Sequence, residues 1–326
     1  LEEPNVVLVR SDGNAMYVAK DIGYQFWKAG IFEGLTFERY AVQPSGKPLY
    51  TSSQSGTLHP DGRSFAHAGE IINVIDVRQT HPQTIVRAAL ALSGTPEGRA
   101  AYENSHHLAY EVVTLEGQAM SGRKGITLSI DEVAEEATRR ARAVVEEKNP
   151  GLADVDHVAR QVGIGALRFG MLKNEARKVI DFRWEQALSL QGDSAPYVQY
   201  AHARACSILR AAAAEGVDVR AARAGADFTQ LGPLEVRLSR VLRRFPDVVE
   251  AAAAALAPHQ VAQYALDVAT AWNAYYNHKD ENGRPDTQVM RAGPGLREAR
   301  LLLVERVRLT LEATLELLGI AAPPEM

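Results

Sequence analysis

Cysteine is almost missing from this sequence. A single Cys206 among 326 residues excludes a disulfide framework and any zinc site built on paired thiolates. Long apolar runs are missing too. The alanine-rich stretch 251–257 is about the longest, far short of the roughly 20 residues a bilayer requires, so no membrane helix is expected. Charge of one sign is not in excess: 36 Lys and Arg stand against 40 Asp and Glu, for a formal charge of −4. No global basic field announces nucleic acid, and any RNA contact has to be local. The opening Leu1-Glu2-Glu3-Pro4 has no starting methionine, basic segment or apolar leader, as expected of the interior of a longer protein. No zinc-ligand spacing, Ser-His-Asp signature or Walker A loop occurs, and the nine histidines form no ordered ligand pattern.

What is present is the composition of a folded chain, 46% apolar and 23% charged. The length suggests two domains, and the reducing conditions that suit one free thiol suggest the cytoplasm. The first 130 residues alternate strand and helix signals. Val6 to Val9 is a short β-branched run followed by the turn Ser11-Asp12-Gly13-Asn14, and a helical pattern runs from Met16 to Ala29. Glu70 to Val77 is the clearest buried strand, and Thr84 to Leu92 reads as a helix stopped by Gly94. Strand then helix, repeated, predicts a parallel α/β sheet. Gln43 to Gly69, rich in Gly, Ser, Pro and Thr, reads as an excursion over the surface. After Asp131 almost everything forms helix: a charged helix towards Glu147, alanine tracts at 211–214 and 251–255, and a last helix from about Leu296 to Leu318 closed by Gly319. The break near Gln191 to Pro196 is the expected boundary between an α/β part, 1–190, and an all-α part, 191–326.

Four short patterns carry chemistry. Tyr17 and Asp21 are four apart, so on a helix they share a face. A carboxylate beside a tyrosine at a strand's carboxyl end suits a guanidinium, although on spacing alone helix-terminal charge with a core tyrosine is the commoner explanation of such a pair. Gln79 follows the strand 70–77 and offers donor and acceptor to a polar ligand, as any solvated loop glutamine also does. Met120-Ser121-Gly122-Arg123-Lys124-Gly125 sets two cations between glycines, either an exposed basic turn or a loop that closes over a polyphosphate. Tyr197 and Tyr200 lie three apart with Arg204 a turn further on. Aromatic faces beside a cation suit unstacked RNA bases, and tyrosine pairs are more often core. Arg237, Arg240, Arg243 and Arg244 fit a solvated helix face paired with acids better than a phosphate site.

In this order the segments resemble the C-terminal part of a class I arginyl-tRNA synthetase over nearly the whole length. Tyr17-Val18-Ala19-Lys20-Asp21-Ile22 resembles the family's Tyr-x-x-Arg-Asp-Ile element, with Lys20 where arginine is usual. Asp76-Val77-Arg78-Gln79 resembles its strand-end glutamine motif, and Met120 to Gly125 its mobile Lys-Met-Ser-Lys-Ser loop, with Ala119 where a lysine often sits. Val162 to Ala166 and Gly192 to Arg204 resemble the helical junction and the first anticodon-domain helix, and Pro323-Pro324-Glu325-Met326 resembles the family's ending.

The resemblance implies a partial Rossmann-like catalytic part followed by an all-α helical-bundle anticodon-binding domain. It implies that Tyr17, Asp21 and Gln79 hold arginine, with Asp21 facing the guanidinium. Met120, Ser121, Arg123 and Lys124 would clamp ATP, and Tyr197, Tyr200, Arg204, Tyr276 and Met326 would meet the anticodon loop, with Tyr276 chosen over Tyr275. It implies ATP as substrate with Mg²⁺, L-arginine and tRNA(Arg) as partners, no protein-held metal, no membrane partner, and a cytoplasmic monomer. No His-x-Gly-His occurs in the sequence, so the expectation is a fragment inactive by itself within an arginine–tRNA ligase. The alternative is an RNA-binding module of that descent that does no chemistry.

Overall fold

The structure is a computed structural model that describes residues 5–32, 35–56, 65–119, 129–219 and 221–326. It divides into two compact units, one up to Glu111 and the other from Val112.

In the first unit, α1 (Tyr17–Lys28) precedes an antiparallel hairpin of β1 (Phe37–Val42) and β2 (Pro48–Ser52). Then come β3 (Ile71–Asp76), a 3-10 turn (Val77–Gln79), α2 (Thr80–Leu92), α3 (Pro96–Glu103) and β4 (Ser105–Tyr110). β3 and β4 pair in parallel from Ile71 opposite Ser105 to Asp76 opposite Tyr110. The strand–helix–strand order expected of an α/β part is therefore present. Ile71, Leu90 and Ala101 join Ala29 in a small core against which Phe26 and Ile31 pack. Two segments differ from the sequence reading. Val6 to Val9 forms only an isolated bridge from Val9 to Ala15 across the Asp12-Gly13 turn, and Val7 and Val9 stay exposed. β-propensity without a neighbouring strand edge to pair with does not make a strand. Within the expected excursion at 43–69, β2 pairs back on β1 across a turn at Gly46, which takes φ 79°, a conformation only glycine adopts without strain. The Phe65 ring packs 4.9 Å from Phe37 and 5.6 Å from Tyr50.

The second unit begins with β5 (Val113–Leu115) and β6 (Gln118–Ala119) and continues through α4 (Ile130–Lys148), α5 (Val155–Leu172), β7 (Ile180–Phe182) and the short α6 (Trp184–Ala187). α7 (Ala195–Ala214), α8 (Pro233–Leu242), α9 (Phe245–Ala254), α10 (Pro258–Tyr276) and α11 (Leu296–Leu317) follow. β5 pairs antiparallel with β6 and parallel with β7. α4 starts with a reciprocal cap: Ser129 Oγ accepts from the Glu132 N–H at 3.1 Å, and the Glu132 carboxylate accepts from the Ser129 N–H at 2.7 Å. α4 and α5 approach closely because Gly163 lacks a side chain; a Cβ there would stand 2.7 Å from the Ala137 carbonyl.

Two cores result. One joins α4, α5 and the segment around Phe182 to Leu188, with Val145, Val162 and Trp184 buried and Met326 included. The other packs α7, α8, α10 and α11 around Trp272, Tyr264, Leu301, Val307 and Leu311. α7 contributes to both, since Val198 and Ala205 lie in the helical core and Ala203 in the other. No helix among the described residues is long and apolar enough to cross a membrane.

Candidate functional site

The segment 319–326 lies along α7 and is tied down by a series of polar contacts. Arg168 donates to the Gly319 carbonyl. Gln199 Nε2 donates to the Ala321 carbonyl at 2.8 Å, His202 Nδ1 to Pro323 at 3.1 Å and Arg210 Nη1 to Pro324 at 2.9 Å. Arg210 also pairs with Glu325 at 3.2 Å. Gly165 makes room, since a Cβ there would meet Gln199 at 2.9 Å and Ile320 at 3.0 Å. Burial pushes the His202 imidazole below its ordinary pKa and the neighbouring Cys206 thiol above its own.

This anchoring brings Met326, only 6% exposed, into the wall of a cavity of about 420 Å³ that also holds Tyr200, Arg204 and Tyr276. The Arg204 guanidinium stands 4.4 Å from the Tyr200 ring centre and 4.7 Å from that of Tyr276, and it donates to Asn273 at 3.3 Å. Of the two tyrosines at the end of α10, Tyr275 is buried, its hydroxyl donating to the Thr287 carbonyl at 3.4 Å. Tyr276 is 41% exposed. Four of the five residues expected at an RNA loop therefore converge on one cavity. Tyr197 is not among its lining residues. Its ring packs against the helical core and its hydroxyl lies 3.4 Å from Thr270, whereas Tyr200 packs against the core that contains Met326.

The first unit holds the other group. Tyr17 opens α1 and is 85% exposed, with the Lys20 ammonium 5.9 Å from its ring centre. Asp21 lies one turn further on, also exposed. Gln79 ends the 3-10 turn after β3 and is exposed. That turn is fixed by Asp76, whose carboxylate accepts from the Arg78 side chain at 2.7 and 2.8 Å and from its backbone N–H at 2.8 Å. These bonds hold the Asp76 carboxyl down at about 2. β3 thus delivers Gln79 at its carboxyl end, and α1 packs against the α2 that follows.

Sequence reasoning missed a polar network beneath these residues. Buried Gln25 donates to Ser105 Oγ at 2.7 Å, and Asn73 donates to Gln25 at 3.3 Å and to Gln83 at 3.0 Å. Lys28 donates to Asn73 at 3.2 Å. Burial lowers the Lys28 pKa while the charge of Asp21 works to raise it. The one sequence signal was a lone asparagine inside the apolar strand Ile71–Asp76.

Met120, Ser121, Arg123 and Lys124 lie outside the described residues. Among the described residues no group of three or more His, Cys, Asp or Glu gathers as a metal site would require.

Comparison with known proteins now bears on this geometry. Residues 32–184 match the family described as tRNA synthetases class I (R), catalytic domain, and residues 198–326 match the DALR anticodon binding domain. The chain belongs to the arginyl-tRNA synthetase family. An arginine–tRNA ligase of Deinococcus radiodurans is 52% identical over the whole chain, which covers 53% of that protein, and one of Thermus thermophilus is 54% identical, covered to 52%. The solved Thermus thermophilus arginyl-tRNA synthetase superposes with a TM-score of 0.86 at 52% identity, over 100% of this chain and 52% of that one. The chain therefore spans about half the length of the curated relatives it matches. As in that family, a class I catalytic part with short parallel pairing is joined to a helical DALR domain.

Proposed function

We propose that this chain supplies the arginine pocket, the ATP-clamping loop and the anticodon reader of an enzyme that activates L-arginine with ATP and transfers it to tRNA(Arg). The observation that carries this reading is the cavity where Arg204 stands between the exposed ring of Tyr276 and Tyr200, closed by Met326. The exposed ring of Tyr276 at the edge of an accessible cavity offers a flipped base a stacking face, and the guanidinium beside it adds positive charge and hydrogen-bond donors. With a chain charge of −4, recognition of this kind, and not bulk attraction, supplies the affinity. Arg204, Tyr276, Tyr200 and Met326 act together in this role, and Tyr197, whose ring packs against the helical core, supports the helix that carries Tyr200 and Arg204. On this reading the catalytic part runs to about residue 190 and the anticodon domain from 191.

Tyr17, Asp21 and Gln79 bind the arginine substrate. Asp21, exposed on α1 one turn after Tyr17, faces the guanidinium with a fixed negative charge, and Gln79 completes the pocket from the end of β3. Met120, Ser121, Arg123 and Lys124 hold the triphosphate. Their cations offset charge that grows as the α-phosphate is attacked by the arginine carboxylate and pyrophosphate leaves, so they act mainly in the transition state. Mg²⁺ bound to ATP phosphates would add to that neutralisation without a dedicated protein cage. The enzyme acts in the cytoplasm as a monomer.

Two measurements test the proposal. A tRNA(Arg) anticodon arm should bind the chain, and an arm with an unrelated loop should bind at least tenfold more weakly; equal binding would remove the reader. In the full-length enzyme, Asp21→Asn should raise the KM for arginine by roughly two decades, as expected for loss of a desolvated ionic partner, and leave that for ATP near its starting value. Equal effects on both substrates would make Asp21 a structural residue.

A further inference from the structure

The polar network beneath Tyr17, Asp21 and Gln79 has a direction. The Lys28 ammonium can only donate, so the end of the Asn73 amide that it meets at 3.2 Å is the carbonyl oxygen. The Asn73 amino group is thereby turned towards α1 and α2, where it donates to Gln25 Oε1 at 3.3 Å and to Gln83 Oε1 at 3.0 Å. Gln25 is left with its own amino group, which donates to Ser105 Oγ on β4 at 2.7 Å. One cation thus orders three side-chain amides. Gln25, Gln83 and Ser105 are buried, where a polar group that loses its partner costs more than the bond it made. A fully partnered network of this kind holds its elements in one arrangement.

The members of the network sit behind both arms of the proposed pocket. Gln25 and Lys28 lie on α1, one and two turns after Asp21. Gln83 lies in the first turn of α2, one turn after Gln79. Asn73 lies within β3, whose end leads into the turn that carries Gln79. The Lys28 ammonium also stands 4.4 Å from the Tyr24 ring centre, and the Asp21 charge acts on it. The rest of β3 up to Asp76 is Ile71, Ile72, Val74 and Ile75. An apolar side chain at 73 would pack without needing partners, so what the asparagine adds is orientation.

Building on the arginine-pocket reading proposed above, we infer that Asn73, ordered by Lys28, is a positioning residue that fixes the spacing between the Asp21 arm and the Gln79 arm and so selects the length of the substrate side chain. A guanidinium is planar and rigid, and it meets a carboxylate and a glutamine together only when the two stand at the right separation. If α1 is free to shift against β3, arginine binds less well and its longer homologue is rejected less strongly.

The test uses the full-length enzyme with L-arginine and with L-homoarginine, whose side chain is one methylene longer. Asn73→Ala and Lys28→Met, each shown by thermal melting to be folded, should raise the KM for arginine about tenfold and leave kcat and the KM for ATP near their starting values. Both should cut the preference for arginine over homoarginine by about tenfold, within the range that one methylene commands. The double variant should be little worse than Asn73→Ala, because both changes act through one amide. Asn73→Asp should rescue most of the loss. Its carboxylate still accepts from Lys28, the Gln25 and Gln83 amides can turn to donate to it, and the Ser105 hydroxyl can then donate to Gln25. Unchanged selectivity in both single variants, or equal losses for arginine, homoarginine and ATP, overturns the positioning role. Asp21→Asn measured alongside separates the two failures. If it alone raises the KM for arginine, the pocket stands and the role of Asn73 falls; if it too is silent, the pocket reading itself falls, and the role of Asn73 with it.

Discussion

Arg204 is held between Tyr200, four residues earlier on the same helix, and Tyr276, at the end of another. The two ring centres lie 4.4 and 4.7 Å from its guanidinium carbon. The first contact follows from helical spacing, since i and i+4 side chains meet on one face. The second requires α7 and α10 to pack. Arg204→Ala removes the shared element and should weaken anticodon-arm binding by about one to two decades, as expected for a base-stacking contact of about 1–3 kcal/mol. Arg204→Lys should recover little, because an ammonium neither stacks nor offers a planar fork. Anisotropy titrations of the three proteins, each first shown to melt alike, decide this; undiminished binding by the alanine variant would place Arg204 outside the RNA site.

Tyr197 and Tyr200 should respond differently to alanine. Tyr197 packs into the helical core and Tyr200 beside Met326 and Arg204. Tyr197→Ala should lower the melting temperature by several degrees, in line with about 1–3 kcal/mol for a partly buried large-to-small change, and Tyr197→Phe should restore it. Tyr200→Ala should cost affinity more than stability. Equal melting losses for both would show that the two rings do the same work.

His202 links stability to acidity. It is buried with its Nδ1 on the Pro323 carbonyl, and burial lowers its pKa from 6.5. The folded state thus favours the neutral ring. The resulting stability is complete above about pH 6.5, the ordinary unfolded value, and is lost as pH falls below it towards the lowered folded value. The melting temperature should therefore decline on moving from pH 7 to pH 5. His202→Gln, which can still donate to Pro323, should flatten that decline. An unchanged slope in the variant would assign the acid sensitivity elsewhere.

Glu235 and Arg300 form a buried ion pair between α8 and α11, with side chains 3% and 11% exposed and an N–O distance of 2.8 Å. Arg300→Ala leaves Glu235 charged and buried, and should destabilise the chain by about 3–5 kcal/mol. Replacing both, as in Glu235→Leu/Arg300→Met, should cost distinctly less. Urea denaturation of the single and double variants checks the ordering, and a double variant worse than the single would contradict it.

The helices were legible wherever a cap and a periodic face coincided. The expected α4 begins one residue early because Ser129 caps it, and the last helix ends one residue before Leu318, with Gly319 at φ 66°. The strand at Ile71–Asp76 was legible from its apolar run, and so was the order of motifs that marked the family. Val6 to Val9 was not, because a strand exists only with a partner and the partner is not written in the run itself. The residues proposed to meet RNA divide in the same way. Tyr200 and Arg204 could be paired from spacing alone. Tyr197 and Tyr200 are offset by a net of only about 60° around α7, and they part because that helix contributes to both cores, one ring packing on each. The network of Gln25, Asn73, Gln83 and Ser105 joins four elements up to 80 residues apart, and no local pattern encodes a contact of that reach.

The cavity at Arg204 draws its lining from Asn149, the middle of α7, Tyr276 and Met326. These pieces come together only when distant stretches of chain have docked and Gln199, His202 and Arg210 have fastened residues 321–324. No sub-fragment of the unit therefore owns the site, and partial folding leaves nothing for a ligand to grip. An occupant of such a cavity binds the finished fold alone, and by mass action a ligand at a hundred times its Kd adds about 2.7 kcal/mol to stability. Cognate RNA would then act as a ratchet on assembly, holding the last segment of chain against α7 and slowing the fraying that opens the cavity.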